Sequence, residues 1–145
     1  MALIRKDPYL AFNFLVVIGG IEAGGFSEVS GLRTEMEVHD YREGGQNEYI
    51  HKLAGPIRYP NNLTLKRGLA DLDLLWAWYQ TILQGIHTRQ NITILLLDSA
   101  RVPKRGWSFS GAYPVRWIGP QLTGSRSEVA VETLEFVHHG LLIGL

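Results

Sequence analysis

Any chemistry in this chain has to come from its histidines, acids and serines, because its 145 residues include no cysteine. Gly25-Phe-Ser27-Glu-Val29 begins like a nucleophile elbow, but it lacks the second glycine and no helix follows it. The histidines are His39, His51, His87, His138 and His139. If the polar stretch 33–55 is a hairpin turning symmetrically about Gly45, His39 and His51 are cross-strand partners. No further metal ligand stands beside them, so a solvated or interface pair is expected. Glu135-Phe-Val-His138 has metal spacing for a helix, yet on a strand residues three apart point to opposite faces. Glu35 and Glu37 share a strand face, but no hydrophobic pocket is evident that would raise the pKa of one of them. Lys66 and Arg67, with Arg58, form a candidate anion patch. As strand neighbours, Lys66 and Arg67 are expected to separate into one surface cation and one cation in an ion pair or interface. The glycine pairs are not followed by Gly-Lys-Ser/Thr, and no GxGxxG links a strand to a helix. No catalytic, cofactor or metal residue is therefore assigned.

The elements that would position these groups centre on residues 62–98, which read strand, helix, strand. On a wheel of about 100° per residue, Leu72, Leu75, Trp76, Tyr79, Ile82, Leu83 and Ile86 fall on one face. Asp73, Ala77, Gln80, Thr81 and Gln84 fall opposite. Asp71 suits an N-cap, Asp73 the positive end of the dipole, and Gly85 the C-terminal stop. Leu74 and Trp78 form a second apolar ridge on the flank, either part of a wide buried stripe or a contact for a neighbouring subunit. Ile92, Ile94 and Leu96 share one face of the following strand and Leu95 and Leu97 the other, which predicts cover on both sides.

Before this unit, Phe12, Phe14, Val16 and Ile18 share one strand face, and Gly19-Gly20 makes a hairpin turn. The return strand is interrupted at Gly24-Gly25 and resumes from Phe26 to Leu32. Between 33 and 55, Thr34, Met36 and Val38 alternate with Arg33, Glu35, Glu37 and His39, giving one apolar and one charged face. The segment reads as a long hairpin turning near Gly44-Gly45, either a mobile loop or an arm docking on another molecule. After it, 98–106 reads as a loop. In 107–118, Trp107, Phe109, Tyr113, Val115 and Trp117 are expected in the core, with Pro114 marking an edge or bulge. In the last strand Glu132 and Glu135 interrupt the two faces and must meet cations or water. Residues 141–145 read as an apolar tail with nothing to pack into. Seven or eight strands and one helix give a mainly β single domain over 1–145. The expected form is two packed antiparallel sheets, a sandwich or partly closed barrel, with the helix on one side.

Composition narrows the class further. The chain is 46% hydrophobic and 19% charged, with 14 basic and 14 acidic residues. No basic excess points to nucleic acid or an anionic membrane, and no run approaches a membrane span. A neutral, apolar chain with unsatisfied sheet edges is suited to association with copies of itself. Closed head-to-tail pairing of those edges would make a ring.

Several segments together resemble a known family. They are Asp7-Pro-Tyr9 with Phe12-Asn-Phe-Leu-Val16, Gly25-Phe-Ser-Glu-Val-Ser-Gly-Leu32, Tyr41-Arg-Glu-Gly-Gly45, Asn62-Leu-Thr-Leu-Lys-Arg-Gly68, Ala112-Tyr-Pro-Val115 and Glu128-Val-Ala-Val-Glu-Thr-Leu-Glu135. In order and spacing they resemble the tail-tube proteins of contractile phages, most of all the inner-tube subunits of extracellular contractile injection systems. Gly19-Gly20 departs from relatives that carry an acidic residue before glycine in this turn. The resemblance implies two packed β-sheets with a flanking helix, hexameric rings stacked into a hollow tube, and a contractile sheath that drives the tube through a target envelope.

The resemblance also implies partners: other copies, a sheath protein, baseplate and spike-hub proteins, and protein cargo in the lumen. No nucleic acid is expected unless the particle is phage-borne, and no membrane insertion. Assembly is expected in the bacterial cytoplasm, with the particle then released. Candidate ring or stack contacts are Asp40, Tyr41, Arg42, Glu43, Glu48, Tyr49, His51, Lys52, Leu74 and Trp78. Candidate lumen-facing residues are Glu35, Glu37, Ser108 and Ser110. The alternatives are a tube-initiator ring protein at the spike hub, a monomeric ligand-binding barrel, and a hydrolase using the His and Glu residues.

Overall fold

The computed structural model describes residues 13–23, 26–41, 44, 51–68, 74–125 and 130–144. Among them are ten strands and one helix. In chain order they are β1 (Phe14–Ile18), β2 (Ile21–Glu22), β3 (Phe26–Ser30), β4 (Glu35–Tyr41), β5 (His51–Arg58), β6 (Leu63–Gly68), α1 (Leu74–Leu83), β7 (Gln90–Leu97), β8 (Pro103–Ile118), β9 (Val131–Val137) and β10 (Gly140–Gly144). Neighbours in the main sheet run β2-β1-β7-β8-β9-β6-β3, all antiparallel, with β10 also on β8. β2 and β3 do not pair, so the sheet does not close into a barrel.

The main sheet is continuous but built in two halves joined by β8. The first part of β8 pairs with β7 and β10, and the second part, from Tyr113, pairs with β9. Val16, Ile92, Ile94 and Phe109 from one half meet Leu63, Leu65, Leu134 and Phe136 from the other in a single buried cluster. Leu75 and Trp78 of α1 complete that cluster. The Trp78 ring lies 5.6 Å from Phe136, and its indole nitrogen donates to the Thr88 carbonyl at 2.8 Å. The helix stops as the sequence predicts. Ile86 N–H reaches the Thr81 carbonyl at 2.9 Å and Gly85 N–H the Ile82 carbonyl at 3.0 Å, the paired bonds of a Schellman cap. Asp71 and Asp73, the expected cap and dipole partner, lie outside the described residues.

The core face of β8 departs from simple alternation. Phe109 is buried, as expected, but so are Ala112 and Pro114, while Val115 is exposed. Ile92 faces Phe109 and Gln90 faces Ala112, so β8 places two residues opposite the single Asn91. Gly111 within this bulge has φ +60°, a conformation that favours glycine. A second shift between Pro114 and Arg116 returns Trp117 toward the core side, so Pro114 does sit at a bulge.

Four further expectations are corrected. The apolar tail is β10: Leu141 faces Phe109 and packs on the core, leaving Leu142 and Ile143 exposed. The expected loop 98–106 ends early, because β8 begins at Pro103. Leu83, the last residue of α1, and Ile86, beyond its end, are exposed. The outer face of β7 is only half covered: Thr93 and Leu95 are partly exposed, since α1 and the second half of the sheet both lie on the inner side.

Candidate assembly interface

β4 and β5 form a two-stranded sheet of their own. They continue the β3–β6 pair outward, and the break between the two pairs falls at Gly31. Gly31 has φ +94°, and a Cβ there would overlap the Asn62 carbonyl oxygen. No larger residue fits this crossing. Beyond it the hairpin packs appreciably on no other element among the described residues. A two-stranded hairpin is marginal in water by itself, and the described residues give this one little support.

Register and pleat assign its two faces. Met36 faces Ile57 and Val38 faces Ala54, and Met36, Val38 and Ile57 are 52%, 53% and 57% exposed. Asp40 and Lys52 are cross-strand partners joined by a 2.5 Å ion pair. The opposite face carries Glu37, bonded to Arg58 at 2.8 Å, and Glu35, paired with Arg33. Further out lie Leu53 facing His39 and Tyr41 facing His51, the latter rings 6.2 Å apart. His39 and His51 are therefore not cross-strand partners. The hairpin is centred one residue later than Gly45, so each histidine meets an apolar or aromatic residue instead.

Of the candidate contacts, Asp40, Tyr41, His51 and Lys52 stand together on the arm and are accessible except for the half-buried His51. Arg42, Glu43, Glu48 and Tyr49 lie outside the described residues. Leu74 opens α1. Trp78 is 8% exposed and belongs to the core, which removes it from the interface set. Among the lumen candidates, Ser108 and Ser110 lie on the outer side of the main sheet, where Ser108 Oγ and Thr93 Oγ1 are 3.1 Å apart. Glu35 and Glu37 belong to the arm, a separate sheet.

The strongest apolar contact surface includes Ile57, absent from the candidates. Gly55-Pro56 reads as the end of a strand, whereas β5 continues through it to Arg58 by a bulge opposite Glu37. The alternation of Met36 with Val38 was the available signal.

The candidate chemistry disperses. Ser27 lies in β3 with its hydroxyl on the Lys66 carbonyl at 3.3 Å. Lys66 pairs with Glu28 at 3.5 Å at the surface, while Arg67 is buried on Glu132 at 2.7 Å, the expected division of that pair. Glu135 meets Arg116 at 3.6 Å. No group of three metal-ligating side chains occurs among the described residues.

A mainly antiparallel sheet, one flanking helix and a projecting arm define an assembly subunit. Residues 10–142 match the T4-like virus tail tube protein gp19 family, and the chain belongs to that family. It is similar to a chain in the cryo-EM structure of the anti-feeding prophage baseplate, 6-fold symmetrised. Identity is 28%, coverage 96% of this chain and 97% of that one, and the TM-score 0.82. Two further structures share the fold. One is the sheath-tube complex of an extracellular contractile injection system, PVC, in its extended state, with 24% identity, 96% and 93% coverage and TM-score 0.85. The other is the sheath/tube terminator of the same system, with 24% identity, 98% and 100% coverage and TM-score 0.88. No curated protein sequence matches the chain.

Proposed function

We propose that this tail tube protein is the repeating inner-tube subunit of an extracellular contractile injection system. It acts as a structural part with no reaction of its own. Hexameric rings stack into a hollow conduit, a sheath surrounds it, baseplate and hub proteins start it, and protein cargo occupies its lumen. Assembly takes place in the bacterial cytoplasm before release of the particle.

The observation that carries this reading is the β4–β5 arm, exposed on both faces and packed on no other described element, in a member of a tail tube family. Free edges of the main sheet pair around the ring, and the arm docks between rings through Asp40, Tyr41, Arg42, Glu43, Glu48, Tyr49, His51 and Lys52. Ser108 and Ser110 supply polar groups to the channel side.

Negative-stain microscopy of the purified chain tests the proposal. Rings stacked into tubes support it, single rings favour a tube-initiator role, and a persistent monomer overturns it. Reversing charge at Arg42 and Glu43 together shortens the tubes while the subunit stays folded.

A further inference from the structure

Where the main sheet changes direction, two adjacent histidines join β9 to β10. β9 ends at Val137 and β10 begins at Gly140, and both lie along β8. His138 turns to the core side, its ring edge-on to Phe109 at 4.7 Å and to Tyr59 at 5.1 Å. Its Nδ1 is shut off from water and has no hydrogen-bond partner. Protonation would place charge in an aromatic surrounding closed off from water, a cost that the Gly140 backbone offsets only in part.

His139 turns outward. Its amide donates to the Ser110 carbonyl at 2.8 Å, and its Nε2 meets Nη1 of Arg89. A guanidinium only donates hydrogen bonds, so in this contact Nε2 takes the accepting role. The same Arg89 nitrogen donates to the Gly111 carbonyl at 3.2 Å, and the guanidinium carbon lies 4.6 Å from the Tyr113 ring centre. Arg89 thus ties the β9–β10 joint to the bulge in β8. The tie holds only while His139 Nε2 carries no proton.

Among the described residues, the groups that face this joint are basic or neutral. Facing it are Arg89 from the segment before β7, His87 stacked on Tyr113 at 6.0 Å, Tyr113 itself from β8, and Tyr59 from the segment after β5. Asn91, whose Oδ1 accepts from Gly111 N–H at 3.2 Å, is neutral. Among the described residues no carboxylate bonds to any member of the cluster. Glu135, the acid nearest along β9, is engaged by Arg116.

We propose that this joint is an acid-operated release for the C-terminal strand. Protonation of the joint adds charge beside Arg89, where no described carboxylate is bonded, breaks the Arg89 tie and detaches β10 from β8. Detachment uncovers the β8 edge from Gly106 to Ser110 and removes Leu141 from above Phe109. Histidine is the side chain suited to such a change, because its charge alters between about pH 5 and 8. Burial, the largest influence, holds His138 below the ordinary histidine value of 6.5. The Gly140 backbone opposes this and His139 adds to it, so the release operates on the acid side of neutrality.

Hydrogen exchange of the full chain at pH 7.5 and pH 5.0, corrected for the intrinsic rate, tests the proposal. Protection of 141–144 should fall at least tenfold beyond the correction on acidification, while β6 holds. The double variant His138→Phe with His139→Gln should keep its neutral-pH protection at pH 5.0, since phenylalanine preserves the edge contacts uncharged and glutamine still offers Arg89 an acceptor. No fall in the wild type, or an equal fall in the double variant, overturns the proposal. A histidine-ring NMR titration of the wild-type chain needs no variant. Loss of the β10 amide signals should share a midpoint with His138 or His139, and a separate midpoint overturns the proposal equally.

Discussion

Arg67 and Glu132 face each other across the β6–β9 ladder and are joined by a 2.7 Å bond from Nε to Oε1, inside the fold. The other carboxylate oxygen of Glu132 accepts from the Trp117 indole at 2.9 Å, and the Arg67 guanidinium lies 5.6 Å from the Phe26 ring centre. The pair therefore connects β6, β9, β8 and β3. Removing Glu132 takes away the carboxylate that the Arg67 guanidinium and the Trp117 indole both engage. Glu132→Ala should destabilise the chain by about 3–5 kcal/mol, read as a shift in the urea midpoint at constant slope. Glu132→Leu combined with Arg67→Met should restore most of that loss. A double variant as weak as the single would show that the ion pair itself carries the effect.

On the proposed reading the arm serves assembly and not folding. Val38→Asp and Ile57→Asp alter side chains that touch little of their own chain. Each should change subunit stability by no more than about 0.5 kcal/mol while abolishing tubes under the microscope. A large drop in the unfolding midpoint would mean that the arm supports the core.

Gly31 sets the direction in which the arm leaves the body. Gly31→Ala adds a methyl group against the Asn62 backbone at positive φ, and the crossing strand must shift. The expected result is a folded subunit, with unaltered near-ultraviolet circular dichroism from its buried tryptophans, that forms tubes at least tenfold less efficiently at equal concentration. Normal tubes would show that the crossing tolerates the displacement.

Acidity acts on stability through His138. Its proton affinity is lowered in the fold, first by burial, so the unfolded chain takes up that proton before the folded chain does. The contribution is therefore fully present above about pH 6.5 and is lost as pH falls from there through the lower folded value. Urea midpoints measured from pH 8 to pH 5 should decline below that point in the wild type and decline less in His138→Phe. Parallel curves would assign the decline to other groups.

Much of the fold is readable from local chemistry. Gly19-Gly20 turns β1 into β2, Gly85 caps α1, and the strand pleat divides Lys66 from Arg67 and sends Glu132 and Glu135 to different cations. What escapes local reading depends on distant partners. The bulge at Gly111 reverses the parity of β8, and nothing in the alternation of Trp107, Phe109 and Tyr113 announces it. Leu141 finds Phe109 only once β8 is in place. In the candidate interface, Asp40 and Lys52 are legible as complementary charges, but Ile57 is hidden behind Gly55-Pro56, which looks like a strand end. Ser108 and Glu35 look equally polar in sequence, yet topology puts them on separate sheets.

β8 runs through 16 residues and takes part in both halves of the main sheet. At about 3.3 Å per residue its contour approaches 50 Å. Mechanical load entering one half reaches the other along a covalent backbone as well as through side-chain contact. A conduit pushed endwise against a resisting surface benefits from walls that cannot be parted at the seam between two layers. Within each copy, this strand spans that seam.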